Sequence, residues 1–211
     1  MEPKEKVYNF ISEQVTLGNL TPTDKITEQF LSDNVGLSRT PIREALLQLA
    51  SENILEREPR KGFKLKQYSQ EEVENIYEII GTLDGKIAYE TCEKLTQEDY
   101  SVMQFLIDSM YSSIKNGLYT KYNELQESFH NVYISLSTNS MMVQELKNKK
   151  KIFVGKNYKR ITPETIQNLL KTTNDEHQTI LNFFKNHQKN EVRKYLEEIH
   201  WNKSNARYDI W

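Results

Sequence analysis

Two small sets of residues in this sequence could do chemistry. One is an arginine pair, Arg39 and Arg43, four positions apart at the start of a segment whose apolar residues Ile42, Ala45, Leu46, Leu49 and Ala50 keep helical spacing. That spacing puts both guanidinium groups on one face, opposite the apolar stripe. A guanidinium fork can bond guanine O6 and N7 together, with about 1–3 kcal/mol of discrimination for a good pair. The flanking Ser38 and Thr40, with the open N–H groups of a helix start, suit phosphate oxygens.

The other set is the histidines, of which there are four. His130 lies among Leu125, Phe129, Val132 and Leu136, and His177 precedes Ile180, Leu181, Phe183 and Phe184. His200 follows Val192, Leu196 and Ile199 at the edge of the last apolar stripe, whereas His187 sits in the polar run Lys185–Asn190 and belongs on the surface. Three imidazoles from the inner faces of separate helices suit a borderline metal such as zinc or nickel. They also suit three hydrogen-bonded core histidines, and the spacing alone leaves both readings open.

The arginines need a frame. Val7, Tyr8, Phe10, Ile11 and Val15 predict a first helix ending near Gly18, and Ile26–Leu31 predicts a second that closes at Val35-Gly36. Gly36 suits a left-handed corner, after which Ser38 caps a third helix with Pro41 in its first turn. Ile54–Glu58 and Gly62–Lys66 then read as two short strands around Pro59-Arg60-Lys61-Gly62. Three helices and a hairpin make a winged helix-turn-helix, whose second motif helix enters the major groove. Residues 1–70 hold ten basic and ten acidic side chains, yet from Arg57 to Lys66 the five basic residues Arg57, Arg60, Lys61, Lys64 and Lys66 stand against one acidic residue, Glu58. A basic wing suits a DNA backbone or minor groove.

From Ser69 the periodicity is helical throughout, beginning with the stripe Ile76, Ile79, Ile80, Leu83, Ile87 and Ala88. Four of the five prolines precede residue 70, so the remainder should be long helices with few breaks. The expected architecture is mainly α: a winged helix-turn-helix over 1–70, then an all-α antiparallel bundle of six or seven helices over 71–211. The basic run Lys147, Lys149, Lys150 and Lys151 reads as a solvated helix end.

Composition bounds the function classes. The 211 residues are 37% hydrophobic and 27% charged, with a net charge of −2, so nucleic-acid binding must rest on a local patch. No stretch approaches the roughly 20 apolar residues of a membrane span, and the opening residues lack a signal-peptide core. The lone Cys92 suits a reducing compartment. The expectation is a cytoplasmic protein without a membrane partner.

The string Leu31-Ser32-Asp33-Asn34-Val35-Gly36-Leu37-Ser38-Arg39-Thr40-Pro41-Ile42-Arg43-Glu44-Ala45-Leu46, followed by Glu52-Asn53-Ile54-Leu55 and Arg60-Lys61-Gly62-Phe63, closely resembles the GntR family of bacterial transcription regulators. The resemblance implies that Arg39, Thr40 and Arg43 contact operator DNA and that Gly62 approaches the minor groove. The family usually has Gly where this chain has Asn53, which also tolerates a left-handed cap. Residues 71–205 resemble the FCD-type ligand-binding domain that accompanies this winged helix. Many of its members hold a metal with an Asp and three His, and Phe129-His130, Glu176-His177-x-x-Ile180 and His200 match the three histidine positions.

Two departures from that pattern stand out. The family's Asp falls at Gln126, a poor substitute for a carboxylate, so the fourth metal position rests on Gln126 or on Glu127. An Arg that meets effector carboxylates in relatives falls near Ile80 or Gly81, with Asp84 in place of a nearby Glu, and Lys159 or Arg160 would have to compensate. The resemblance implies a homodimeric regulator on a palindromic operator, acting as a repressor or an activator. A small-molecule effector, of which an organic acid is one class, would govern it with or without zinc or nickel. The competing readings are a metal-free regulator of the same fold and a zinc-dependent hydrolase using Glu127 or Glu176 as base.

Overall fold

The computed structural model describes residues 2–154 and 162–208, with Arg207 and Tyr208 described by their backbone; Lys159 and Arg160 lie outside the described residues. The described residues form two compact units, 2–69 with 150–154, and 70–149 with 162–208. Residues 150–154 thus group with the first unit, although the sequence reading places them in the second domain. The reason is apolar: Val154 belongs to the first unit's core, and Tyr8 donates its hydroxyl to the Lys151 carbonyl at 3.2 Å.

In the first unit, α1 (Pro3–Thr16), α2 (Glu28–Val35) and α3 (Arg39–Ser51) precede β1 (Leu55–Glu58) and β2 (Gly62–Leu65), which pair antiparallel with Leu55 opposite Leu65 and Glu58 opposite Gly62. Val7, Ile11 and Val15 of α1 pack with Leu31, Ile42, Leu46, Leu49, Leu55 and Leu65 around one apolar core. The second helix starts two residues later than Ile26 because the chain does something else there first. Ile26 forms an isolated antiparallel bridge with Phe63, its N–H reaching the Phe63 carbonyl at 2.7 Å and its carbonyl accepting from Phe63 N–H at 3.0 Å. Thr27 then caps α2, accepting from the Phe30 N–H. The wing is therefore anchored to the chain entering the helix-turn-helix.

Ser38 takes the extended N-cap conformation of α3, yet its side chain makes no cap hydrogen bond. Its hydroxyl stays available to a partner. At the other end of α3, Asn53 adopts φ 61°, the left-handed cap anticipated from its side chain. Its amide oxygen accepts from Lys66 at 2.8 Å and its carbonyl from the Tyr68 hydroxyl at 2.6 Å.

The second unit contains, among the described residues, α4 (Gln70–Thr91), α5 (Gln97–Lys115), α6 (Tyr119–Ile134), α7 (Ser140–Lys151, its last residues in the first unit), α8 (Pro163–Lys185) and α9 (Lys189–Tyr195). The last of these continues into a π turn, Leu196–His200, and a short 3₁₀ segment, Lys203–Tyr208. Helix α5 packs on α6 and α8, and α4 packs on α9 and the π turn. Thr96 and Asp99 form a reciprocal capping box at the start of α5, satisfying open N–H groups there. Phe129, Tyr133, Phe184, Ile180, Met103, Ile107 and Leu196 are among the fully buried side chains that set the histidine-bearing helices in place. No helix among the described residues is long and apolar enough to cross a membrane.

Candidate nucleic-acid interface and metal centre

On the first unit the two arginines are exposed, as are Ser38 and Thr40 at the start of the same helix. Burying Ile42, Ala45, Leu46 and Leu49 leaves Arg39 and Arg43 outside the core, but at 100° per residue the pair flanks the buried stripe, about 90° from its centre, rather than opposing it. Neither guanidinium floats free of its own fold. Arg39 donates to the Gln29 side-chain oxygen, and Arg43 Nε lies 3.9 Å from Glu28 Oε1, so the first turn of α2 steers both groups.

The wing is less uniformly cationic than its sequence. Lys64 turns to Glu58 at 3.3 Å and Glu56 at 3.7 Å, and those carboxylates raise its pKa. Lys66 turns to Asn53. Arg60 and Lys61 remain exposed at the tip, beside the half-buried Gly62. At Gly62, φ is 102° and an added Cβ would stand 2.8 Å from the Ile26 carbonyl oxygen, so any side chain would break the wing's anchor.

In the second unit, α6 supplies His130, α8 supplies His177 and the π turn supplies His200, and all three are buried. One ring nitrogen from each lies within 4.8 Å of the others, and the ring centroids form a near-equilateral triangle of 5.3, 5.1 and 5.0 Å. His187 lies elsewhere, exposed in the turn between α8 and α9 at φ 55°. The π turn explains why the stripe misled at its end. The Trp201 N–H bonds to the Leu196 carbonyl, an i→i+5 bond, and this wider turn leaves His200 buried while Ile199 is 46% exposed.

The remaining ring atoms decide what the triangle can hold. Tyr133 donates its hydroxyl to Asp84 Oδ1 at 2.5 Å, so its oxygen accepts from His130 Nδ1 at 2.7 Å. Asn174 donates to the Ile107 carbonyl, which turns its Oδ1 toward His177 Nδ1 at 3.3 Å. Both Nδ1 atoms therefore carry the proton, and the Nε2 lone pairs point inward. His200 Nδ1 meets Glu176 Oε2 at 2.8 Å. Burial, with the Asp175 charge second, pushes Glu176 up to about 7, so a positive charge on the imidazole side favours its ionised form. His130 Nε2 and His200 Nε2 stand 3.2 Å apart. Two imidazole nitrogens on one tetrahedral zinc, each at about 2.0–2.1 Å, are separated by roughly 3.3 Å. The donor set and its outer partners thus fit a divalent transition metal.

Of the two fourth-position candidates, Glu127 does not join this group and Gln126 brings no charge to it. Gln126 is half-buried and neutral, and Glu127 is exposed because three helical residues before His130 leave it about 60° off that residue's face. The carboxylate that does approach comes from another helix. Asp84 of α4 is fully buried, accepts from Trp201 Nε1 at 2.9 Å and lies 3.3 Å from His130 Nδ1. Sequence periodicity put Ile79 on the inner stripe of α4; the structure leaves Ile79 42% exposed and turns Asp84 and Gly85 inward. At Gly85 an added Cβ would stand 3.0 Å from the Arg193 carbonyl oxygen, so glycine is what lets α4 approach the last helix this closely. The signal available in the sequence was Gly81 and Asp84 on the helical face of Ile80, Ile87 and Ala88, and an apolar count passes over it.

Two family descriptions match this chain: "Bacterial regulatory proteins, gntR family" over residues 3–65, and the FCD domain over residues 75–200. The chain belongs to the GntR family, in its FCD branch. Relatives include the HTH-type transcriptional regulator YdhC of Bacillus subtilis, 26% identical over 63% of this chain and 59% of its own length. The Escherichia coli HTH-type transcriptional regulator McbR is 29% identical over 53% of this chain and 51% of its own. These alignments span between half and three fifths of the relatives' lengths. Among solved structures, E. coli McbR/YncC superposes with a TM-score of 0.83 at 21% identity, covering 99% of this chain and 97% of the other. A GntR regulator from Rhodococcus gives 0.70 at 13% identity over 99% and 98%. Both share this chain's fold.

Proposed function

We infer that this chain is a sequence-specific DNA-binding transcription regulator, not an enzyme, with an effector-responsive FCD domain. The observation that carries the reading is the exposed Arg39–Arg43 pair at the start of a helix whose Ile42, Ala45, Leu46 and Leu49 are committed to the core. Arg39 and Arg43 read base edges, Ser38 and Thr40 bind phosphate, and Arg60, Lys61 and Gly62 bring the wing to the backbone or minor groove. As a homodimer in the cytoplasm, two such readers would meet a palindromic operator.

His130, His177 and His200 would hold the metal, zinc or nickel, with protein nitrogens leaving part of its coordination sphere to other ligands. When bound, such an ion supplies a Lewis-acidic centre for oxygen atoms of a small effector, for which an organic acid is the natural class. The effector changes DNA affinity only through unequal binding to two arrangements of the protein, typically by about 1–3 kcal/mol.

Selection of duplexes from a random pool by the full chain, followed by salt titration of the winner, tests the DNA reading. A recurrent palindromic sequence whose affinity falls steeply with salt is expected. No enrichment, or enrichment of single-stranded sequences, would overturn it. Elemental analysis of natively purified protein tests the metal separately, with one zinc or nickel per chain expected.

A further inference from the structure

We propose that Asp84, on α4, is the positioning carboxylate of the metal centre, acting through Tyr133 and His130 from outside the coordination sphere. The proposal rests on the metal-holding reading of the histidine triad and goes beyond it. Three neutral imidazoles bring no negative charge to a divalent ion, and position 126, on the same face as His130, is a neutral glutamine. Asp84 is fully buried on the Nδ1 side of His130, whose Nε2 faces His200, with Oδ1 receiving Tyr133 and Oδ2 receiving the Trp201 indole while lying 3.3 Å from His130 Nδ1.

That arrangement does two things. It fixes the His130 tautomer, because Tyr133 spends its only proton on Asp84 and must accept from Nδ1. It also places a negative charge in a low-dielectric interior, where it makes the His130 ring a stronger donor and offsets the ion's charge. Trp201 holds the carboxylate in place from the residue after His200, so the charge donor and the third ligand are tied to one segment. A buried carboxylate of this kind is costly without a cation nearby, which is why its two roles separate experimentally.

The test is zinc competition against a chelator of known affinity, with the full chain and its Asp84→Asn variant, alongside thermal unfolding of both without metal. Loss of 10–100-fold in zinc affinity is expected, the usual effect of removing an outer partner. The metal-free midpoint should hold or rise, since the amide removes a buried charge. A merely structural Asp84 would instead lower the metal-free midpoint and leave affinity within twofold, and that pair of results overturns the proposal. Should Asp84→Asn not fold, Tyr133→Phe cuts the relay with Asp84 in place; affinity reduced about tenfold supports the proposal, and unchanged affinity overturns it. Zinc bound by the wild type with equal affinity in the variants removes Asp84 alone. Failure of the wild type to bind zinc or nickel at all removes the triad reading with it.

Discussion

His130 Nε2 and His200 Nε2 face each other across 3.2 Å, although the two residues lie 70 positions apart in the chain. Their other ring nitrogens are held by Tyr133 with Asp84 and by Glu176, so the facing edges need a proton or a metal ion between them. A metal at about a hundred times its dissociation constant should stabilise the fold by about 2.7 kcal/mol. Thermal unfolding with and without zinc measures this. His177→Ala should abolish both the shift and stoichiometric metal, and a variant that retained full metal content would place the site elsewhere.

Arg43→Ala should weaken operator binding by about 1–3 kcal/mol and relax preference at one base position in each half-site. Competition between the selected operator and single-base variants measures it. Unchanged preference would contradict base reading by this side chain.

Lys61→Ala should weaken binding to all duplexes alike and reduce the salt slope by about one. Lys64→Ala should change the slope much less, because Glu56 and Glu58 already engage that ammonium. Equal effects of the two substitutions would show that the wing's internal ion pairs dissolve on DNA.

Gly85→Ala should destabilise the second unit by about 1–3 kcal/mol, since the methyl meets the Arg193 carbonyl and the Glu197 side chain. It should also weaken zinc binding, because relief of the clash moves the segment that carries His200. A variant with both properties intact would mean that α4 and the last helix are not held as closely as the geometry requires.

The winged unit was legible because its signals are local. Val7, Ile11 and Val15, the Gly36 corner, the Pro41 start and the Arg60–Gly62 tip each specify their own few residues, and together they admit one arrangement. The Ile26–Phe63 bridge was not legible, since it joins residues 37 apart through backbone atoms that carry no side-chain signature. The histidines were legible as candidates, each by its place on an inner stripe.

What tied them together was not. The sequence by itself determined a winged helix-turn-helix with its arginines outward and three histidines available to a helical core. Only the tertiary structure decided that a π turn would face His200 inward and Ile199 outward, and that Asp84 rather than Gln126 or Glu127 would supply the nearby charge. Periodicity reports which side of a helix is apolar to within about a third of a turn, whereas hydrogen-bond partners are chosen within about half an ångström by the packing of helices distant in sequence.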